Sequence, residues 1–126
     1  MKNVMWIGLG GFAGAVLRYA IAGWVQRWGG DGRLPYGTLV VNVIGCLIIG
    51  LLSHLAESRQ VLPDLRGFVF VGLLGAFTTF PTFGSETLEL WQEGRGLLAV
   101  ANAALNLGLG LAAVWGGRRL AGLIWR

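Results

Sequence analysis

The chain has 126 residues, of which 55% are apolar and only 13% are charged, and its mean hydropathy is +0.66. Soluble domains carry about a quarter of charged residues, so the composition excludes an ordinary soluble protein. The net charge of +4 comes mostly from arginines at the ends of apolar runs, which is typical of membrane-edge anchors and not of a nucleic-acid-binding face. With one His, one Cys and no acidic cluster, we expect no metalloenzyme and no Ser-His-Asp hydrolase.

Four apolar stretches are long enough to cross a membrane as helices, which requires about 18 or more residues. They predict an all-α membrane protein with a single domain over residues 1–126 and spans of about 3–26, 34–56, 67–90 and 96–118. Little chain is left outside these spans, so the function must lie within the bilayer or at its edge. An even number of spans places both termini on one side, where six basic residues stand against three or four on the other. This bias is weak by the positive-inside rule, so the chain is able to insert both ways.

Glycine is the other compositional signal, with 22 residues in the chain. Gly10 and Gly14 are four apart in the first span, and Gly108, Ala112 and Gly116 repeat at the same spacing in the last. Such small-residue stripes let helix backbones approach closely inside a membrane. Four thin helices enclose little volume, so a pathway for a solute needs more than one copy of the chain. We therefore expect a homo-oligomer.

Several polar residues lie at membrane depth, where each needs a partner or a function. Asn42 is in the middle of the second span, and Asn102 and Asn106 share one face of the fourth. These amides either join helices by hydrogen bonds or line a polar path. Glu86, just past the uncharged part of the third span, is either a pore-mouth group or a carboxylate that reaches the interface.

Residues 75–84 of the third span contain three Thr, three Phe, two Gly and Pro81. Pro81 lacks an N–H and disfavours helical geometry at Phe80, so the pattern predicts a helix broken near its middle. Non-helical backbone at this depth is tolerated only where it is buried in protein or lines a cavity, and its freed carbonyls suit a bare cation such as Na⁺. A plain proline kink is the alternative. We favour the functional break.

Four segments follow one another along the chain: glycines followed by Arg and an aromatic residue over 10–19, GTLVVNVIG over 37–45, TTFPTF over 78–83, and the pair Asn102 and Asn106. Taken in this order they resemble the Fluc/CrcB family of small fluoride channels, and the resemblance covers essentially the whole chain.

The resemblance implies a channel that exports fluoride across the bacterial plasma membrane as an antiparallel, dual-topology homodimer with two pores. It also implies a structural Na⁺ at the dimer centre, held by the backbone carbonyls of Gly75 and Thr78 from both subunits. In this family pattern Phe80 and Phe83 form an aromatic box that faces the ion, and Asn42 is the pore amide.

The chemistry of fluoride agrees with these residue types. A small, strongly hydrated anion needs hydrogen-bond donors in place of its water, and amides, hydroxyls and the positive edges of phenyl rings supply them. The expected fluoride pathway therefore also includes Thr79, Thr82 and Asn106, with Glu86 at its mouth.

Two residues depart from the family pattern, because Pro81 and Gly110 stand where Ser is usual. Two other functions remain open. A small multidrug-type antiporter needs an acidic residue in the first span, and residues 3–26 contain none. A non-transporting membrane assembly subunit would explain the glycine stripes but would leave the polar break unexplained.

Overall fold

The computed structural model describes residues 2–29, 33–58 and 62–125, and every regular element in these segments is helical. The helices are α1 (Lys2–Trp28), α2 (Tyr36–Ser58), α3 (residues 63–77), α4 (Phe80–Gln92) and α5 (Gly96–Ile124). α3 consists of Pro63–Arg66, a π-helical stretch Gly67–Leu74 and a final turn Gly75–Phe77.

The described part of the chain contains four candidate membrane spans, as the sequence predicts. They are Lys2–Trp28, Tyr36–His54, Pro63–Gln92 and Gly96–Ile124, the third being α3 and α4 together. The predicted break is present between these two helices, at Thr78 and Thr79. α5 continues to Ile124, beyond the predicted end of the span at 118, because the residues after Arg119 are again apolar and continue the helix.

Apolar side chains cover the outside of the bundle, and the few buried positions include a polar one. Tyr19 is 84% exposed and Leu97 85% exposed, whereas Asn102 is only 1% exposed. Soluble proteins show the opposite distribution, with polar groups outside and apolar groups inside. The arrangement fits a bundle surrounded by lipid.

Glycine sets the contact between α1 and α3. A Cβ atom at Gly10 would overlap the carbonyl oxygen of Phe68, and one at Gly14 would overlap that of Leu73. Backbone therefore packs directly on backbone, as small-residue stripes permit. The predicted packing stripe on the first helix is confirmed.

The small-residue stripe predicted on the last helix makes no such contact among the described residues of the chain, and its role in packing stays a prediction. A Cβ atom at Gly108 or at Gly116 would meet open space, and Ala112 is exposed. α5 instead packs on α2 through Gly117, and Gly50 of α2 packs on α5 in return. Several stripes of small residues run along this helix, and a spacing of four does not say which stripe faces the neighbouring helix.

The π-helix of α3 was not predicted. Eight residues, Gly67–Leu74, have this wider backbone, in which each N–H bonds five residues back. Gly72 brings the segment onto the carbonyl of Ile7 in α1. π-helical turns concentrate at functional sites, and this one leads directly into the break.

Candidate functional site around the broken third span

Two residues with extended backbone separate α3 from α4. Thr78 has φ −80° and ψ 156°, and Thr79 has φ −150° and ψ 106°. The N–H and the Oγ1 of Thr78 both donate to the carbonyl of Leu74, at 3.1 and 3.0 Å, and close the end of α3. Pro81 lies in the first turn of α4, where helices leave N–H groups unbonded and a missing N–H costs nothing.

Asn42 joins α2 to the break through both ends of its amide. Its Oδ1 accepts the Thr79 N–H at 2.9 Å. Its Nδ2 donates to Asn106 Oδ1 at 3.0 Å and, more weakly, to the Thr79 carbonyl at 3.4 Å. One side chain thus replaces the helical partners that the break has removed.

Side-chain amides and a hydroxyl continue from Asn42 along α5 and back to α4; we call Asn42, Asn106, Asn102 and Thr87 the amide ladder. Asn106 Nδ2 donates to the Oδ1 and the carbonyl of Asn102, at 3.1 and 3.0 Å. Asn102 Nδ2 donates to Thr87 Oγ1 at 2.9 Å, and that hydroxyl donates to the Phe83 carbonyl at 2.7 Å. The amides therefore join helices, and they do so beside a cavity.

That cavity, of about 320 Å³, lies at the break between α2, α3, α4 and α5. Among its lining residues are those singled out from the sequence: Asn42, Gly75, Thr78, Thr79, Phe80, Phe83 and Asn106. The rings of Phe80 and Phe83 meet edge to face, with centroids 5.4 Å apart. Phe83 is only 9% exposed, whereas Phe80 is 74% exposed and lies on the outside of the single chain.

A second, larger cavity of about 610 Å³ lies between the second half of α1, the start of α2 and the end of α4. Its walls include Arg18, Thr79, Thr82 and Glu86, so Thr79 lines both cavities. The hydroxyls of Thr79 and Thr82 are 2.8 Å apart, and one hydrogen suffices for that bond, which leaves the other hydroxyl hydrogen free to donate.

Glu86 points into the bundle and not outward to the interface. Thr38 Oγ1 donates to its Oε1 at 2.7 Å. Its Oε2 is buried and has no hydrogen-bond partner within the described residues. Glu86 therefore lies on the wall of the larger cavity, and its role as a pore-mouth group stays a prediction.

Comparison with known proteins agrees with this geometry. The family model described as CrcB-like protein, Camphor Resistance (CrcB), matches residues 5–118. The chain belongs to the CrcB family. A relative from Shewanella loihica is 48% identical over 120 residues, which are 95% of this chain and 96% of the relative, and one from Shewanella halifaxensis is 42% identical over the same shares. Both relatives are named fluoride-specific ion channel FluC.

Membership of the CrcB family confirms the resemblance found from the sequence. The matched relatives are ion channels and not enzymes, in agreement with the expectation from composition. Together with the four apolar helices, the family shows a multi-pass membrane protein, consistent with the bacterial inner membrane.

Two features of this CrcB site were missed from the sequence. Thr87 was not singled out, although it stands four residues after Phe83 and so lies on the same face of α4. The sequence predicts Asn42 as a pore amide or a helix-joining amide, but it does not predict that the Asn42 oxygen accepts the Thr79 N–H at the break. The signal that predicts such a bond is a break in one span together with an amide in the middle of another span. The N–H freed at the break needs an acceptor, and the amide oxygen can supply it.

Gly110, the second departure from the family pattern, lies next to the smaller cavity. Gly110 is buried, and a Cβ atom there would be 3.4 Å from the Sγ of Cys46. Cys46 itself lines the smaller cavity. Position 110 therefore offers no hydroxyl, and the nearest polarizable group is a thiol, which is a weak donor.

Proposed function

We propose that this chain is a fluoride channel that exports fluoride across the bacterial plasma membrane. The observation that carries the proposal is the set of uncharged donors around the break, in a chain whose relatives are named fluoride-specific channels. Fluoride binds such donors without the trapping effect of a fixed positive charge.

The two cavities suggest the route of the ion. Fluoride enters the larger cavity beside Glu86, where the Thr79 and Thr82 hydroxyls offer a free hydrogen. Thr79 then leads to the smaller cavity, where the 3.4 Å bond from Asn42 Nδ2 is the weakest in the ladder and the easiest for an anion to replace. The Phe80 and Phe83 ring edges line the remaining path.

An antiparallel, dual-topology homodimer completes this route. Phe80 is largely exposed on one chain and Gly75 lies at the surface, so a second copy that covers both residues would bury the aromatic pair.

The distribution of basic residues places few limits on the orientation of the chain in the membrane. Among the described residues, Lys2, Arg66, Arg118 and Arg119 stand at the end that holds the termini, and Arg27, Arg33 and Arg95 stand at the other. Such a small difference allows insertion both ways.

The carbonyls of Gly75 and Thr78 fit the structural Na⁺ of the proposal. The Thr79 N–H, which would bond the Gly75 carbonyl in a continuous helix, donates to Asn42 instead. The Thr78 carbonyl lies before the start of α4. Hard oxygen ligands of this kind, two from each copy near a two-fold axis, suit a small monovalent cation. When bound, the ion supplies a fixed positive charge that holds the two chains together.

The decisive test is fluoride efflux from liposomes that contain the purified protein. We expect fluoride release that is much faster than from protein-free liposomes, with no chloride release under the same gradient. Equal rates for the two anions would contradict a selective channel, and no fluoride release from correctly inserted dimers would leave only an assembly role.

Pro81→Ser is expected to increase this efflux. Serine adds a hydroxyl and an N–H at the exposed first turn of α4, and we expect one of them to donate to the permeating fluoride. One such hydrogen bond, worth about 0.5–1.5 kcal/mol, raises the flux by about two- to tenfold. The loss of proline rigidity costs at most about 1 kcal/mol of unfolding free energy. Liposome efflux and thermal unfolding are measured for both proteins, with Pro63→Ser at the start of α3 as the control. A Pro81→Ser channel that conducts no faster would show that the donors already present are sufficient.

A further inference from the structure

We propose that Asn42 is a positioning residue for the sodium site: by accepting the Thr79 N–H, its side chain frees the Gly75 carbonyl to bind the cation. The inference rests on the proposed Na⁺ site and identifies the side chain that makes this site possible. It is separate from any contact between Asn42 and the permeating anion, because it concerns the oxygen of the amide and not its N–H₂ group.

The hydrogen bonds at the end of α3 carry the argument. In a continuous α-helix the N–H of Thr79 would donate to the carbonyl of Gly75, four residues earlier. In this structure it donates to Asn42 Oδ1 at 2.9 Å. The preceding carbonyl, that of Leu74, still accepts the Thr78 N–H at 3.1 Å. Gly75 is therefore the first residue of α3 whose carbonyl has lost its helical donor to another helix.

Burial makes the Asn42 oxygen necessary. Thr79 is only 8% exposed and its N–H is directed at Asn42 Oδ1, so the side-chain oxygen is its acceptor in place of bulk water. A buried N–H requires an acceptor, and without Asn42 the acceptor four residues back along the chain is the Gly75 carbonyl. Restoring that bond would extend the helix through the break and turn the carbonyl away from a cation.

The orientation of the amide is fixed from its other end. Asn42 Nδ2 donates to Asn106 Oδ1 at 3.0 Å and to the carbonyl of Thr79 at 3.4 Å. With the amide turned over, its N–H₂ group would face the Thr79 N–H, and its oxygen would face two other oxygens. The ladder therefore keeps the oxygen of Asn42 on the Thr79 N–H.

The test measures how the thermal unfolding midpoint of the purified protein depends on Na⁺. Each variant is prepared in sodium chloride and in N-methylglucamine chloride at equal ionic strength. A cation that binds only the folded state raises the midpoint, so we expect a rise of several degrees for the wild-type protein in Na⁺. We expect Asn42→Leu to lose this rise. In Asn42→Asp the second carboxylate oxygen faces Asn106 Oδ1 and the Thr79 carbonyl, which should lower the midpoint in both salts, but the first oxygen still accepts the Thr79 N–H and the rise should be retained. Asn42→Ser, whose hydroxyl is too short to reach, replaces Asn42→Leu if the latter does not fold.

Asn106→Leu is the matched control: it removes an amide from the same ladder, while the bonds of Asn42 to both the N–H and the carbonyl of Thr79 remain and still set the orientation of the Asn42 amide. It should lower the midpoint in both salts and keep the difference between them. If Asn42→Leu or Asn42→Ser keeps the wild-type difference, Asn42 does not position the site. If the wild-type protein itself shows no difference, the sodium site is wrong and the inference fails with it.

Discussion

Asn42→Asp is expected to reduce fluoride efflux by about a hundredfold while the protein stays folded. The new carboxylate keeps the oxygen that accepts the Thr79 N–H, but it replaces an N–H₂ donor with an acceptor that carries negative charge. A fixed negative charge about 6 Å from an anion, at an effective dielectric constant of about 20, costs about 2.8 kcal/mol, which is about a hundredfold in occupancy. The measurement is efflux from liposomes, with gel filtration to verify the oligomer.

Asn3→Asp is the matched control for this change, because it makes the same substitution at an exposed position near the start of α1. It should conduct like the wild-type protein. Unchanged efflux in Asn42→Asp would remove Asn42 from the permeation path. That outcome would leave its contact with Thr79, and with it the sodium response, as a separate question.

The spans and the break follow from the sequence because each has a local cause. A run of uncharged residues of sufficient length must be a membrane helix, since the bilayer leaves the backbone no other way to satisfy its hydrogen bonds. Pro81 in such a run kinks the helix or ends it, and here it stands in the first turn of a new helix, α4. Part of the lining of the smaller cavity was predicted for the same reason, because Gly75, Thr78, Thr79, Phe80 and Phe83 lie in or next to the break.

Other features depend on how helices meet, which local pattern does not contain. The wider turn over Gly67–Leu74 forms where α3 packs on the glycine face of α1, and no residue type in that segment demands it. The choice of Gly117 over Gly116 as the contact on α5 depends on the position of Gly50 in α2. The stronger of the two bonds from Asn42 Nδ2 forms because α5 brings Asn106 Oδ1 within 3.0 Å.

Gly14→Ala is expected to destabilise the protein by about 1–3 kcal/mol, the usual cost of added volume in a packed contact. A Cβ atom at this position would overlap the carbonyl oxygen of Leu73, and the Leu73 carbonyl carbon and Cα lie directly behind it. These are backbone atoms, so no side-chain rotation relieves the overlap and α3 must move away from α1. The measurement is the thermal unfolding midpoint in detergent, together with the fluoride efflux of the same preparation.

Gly11→Ala, three residues earlier, isolates this contact from the helix propensity of alanine. A Cβ atom at Gly11 would meet nothing within 4 Å. Alanine is favoured over glycine inside a helix by about 0.5–1 kcal/mol, so Gly11→Ala should raise the midpoint while Gly14→Ala lowers it. Because α3 leads directly into the break, its displacement also moves the carbonyls of Gly75 and Thr78, and efflux should fall with stability in Gly14→Ala alone. The same sign of change in both variants would contradict direct packing of α1 backbone on α3.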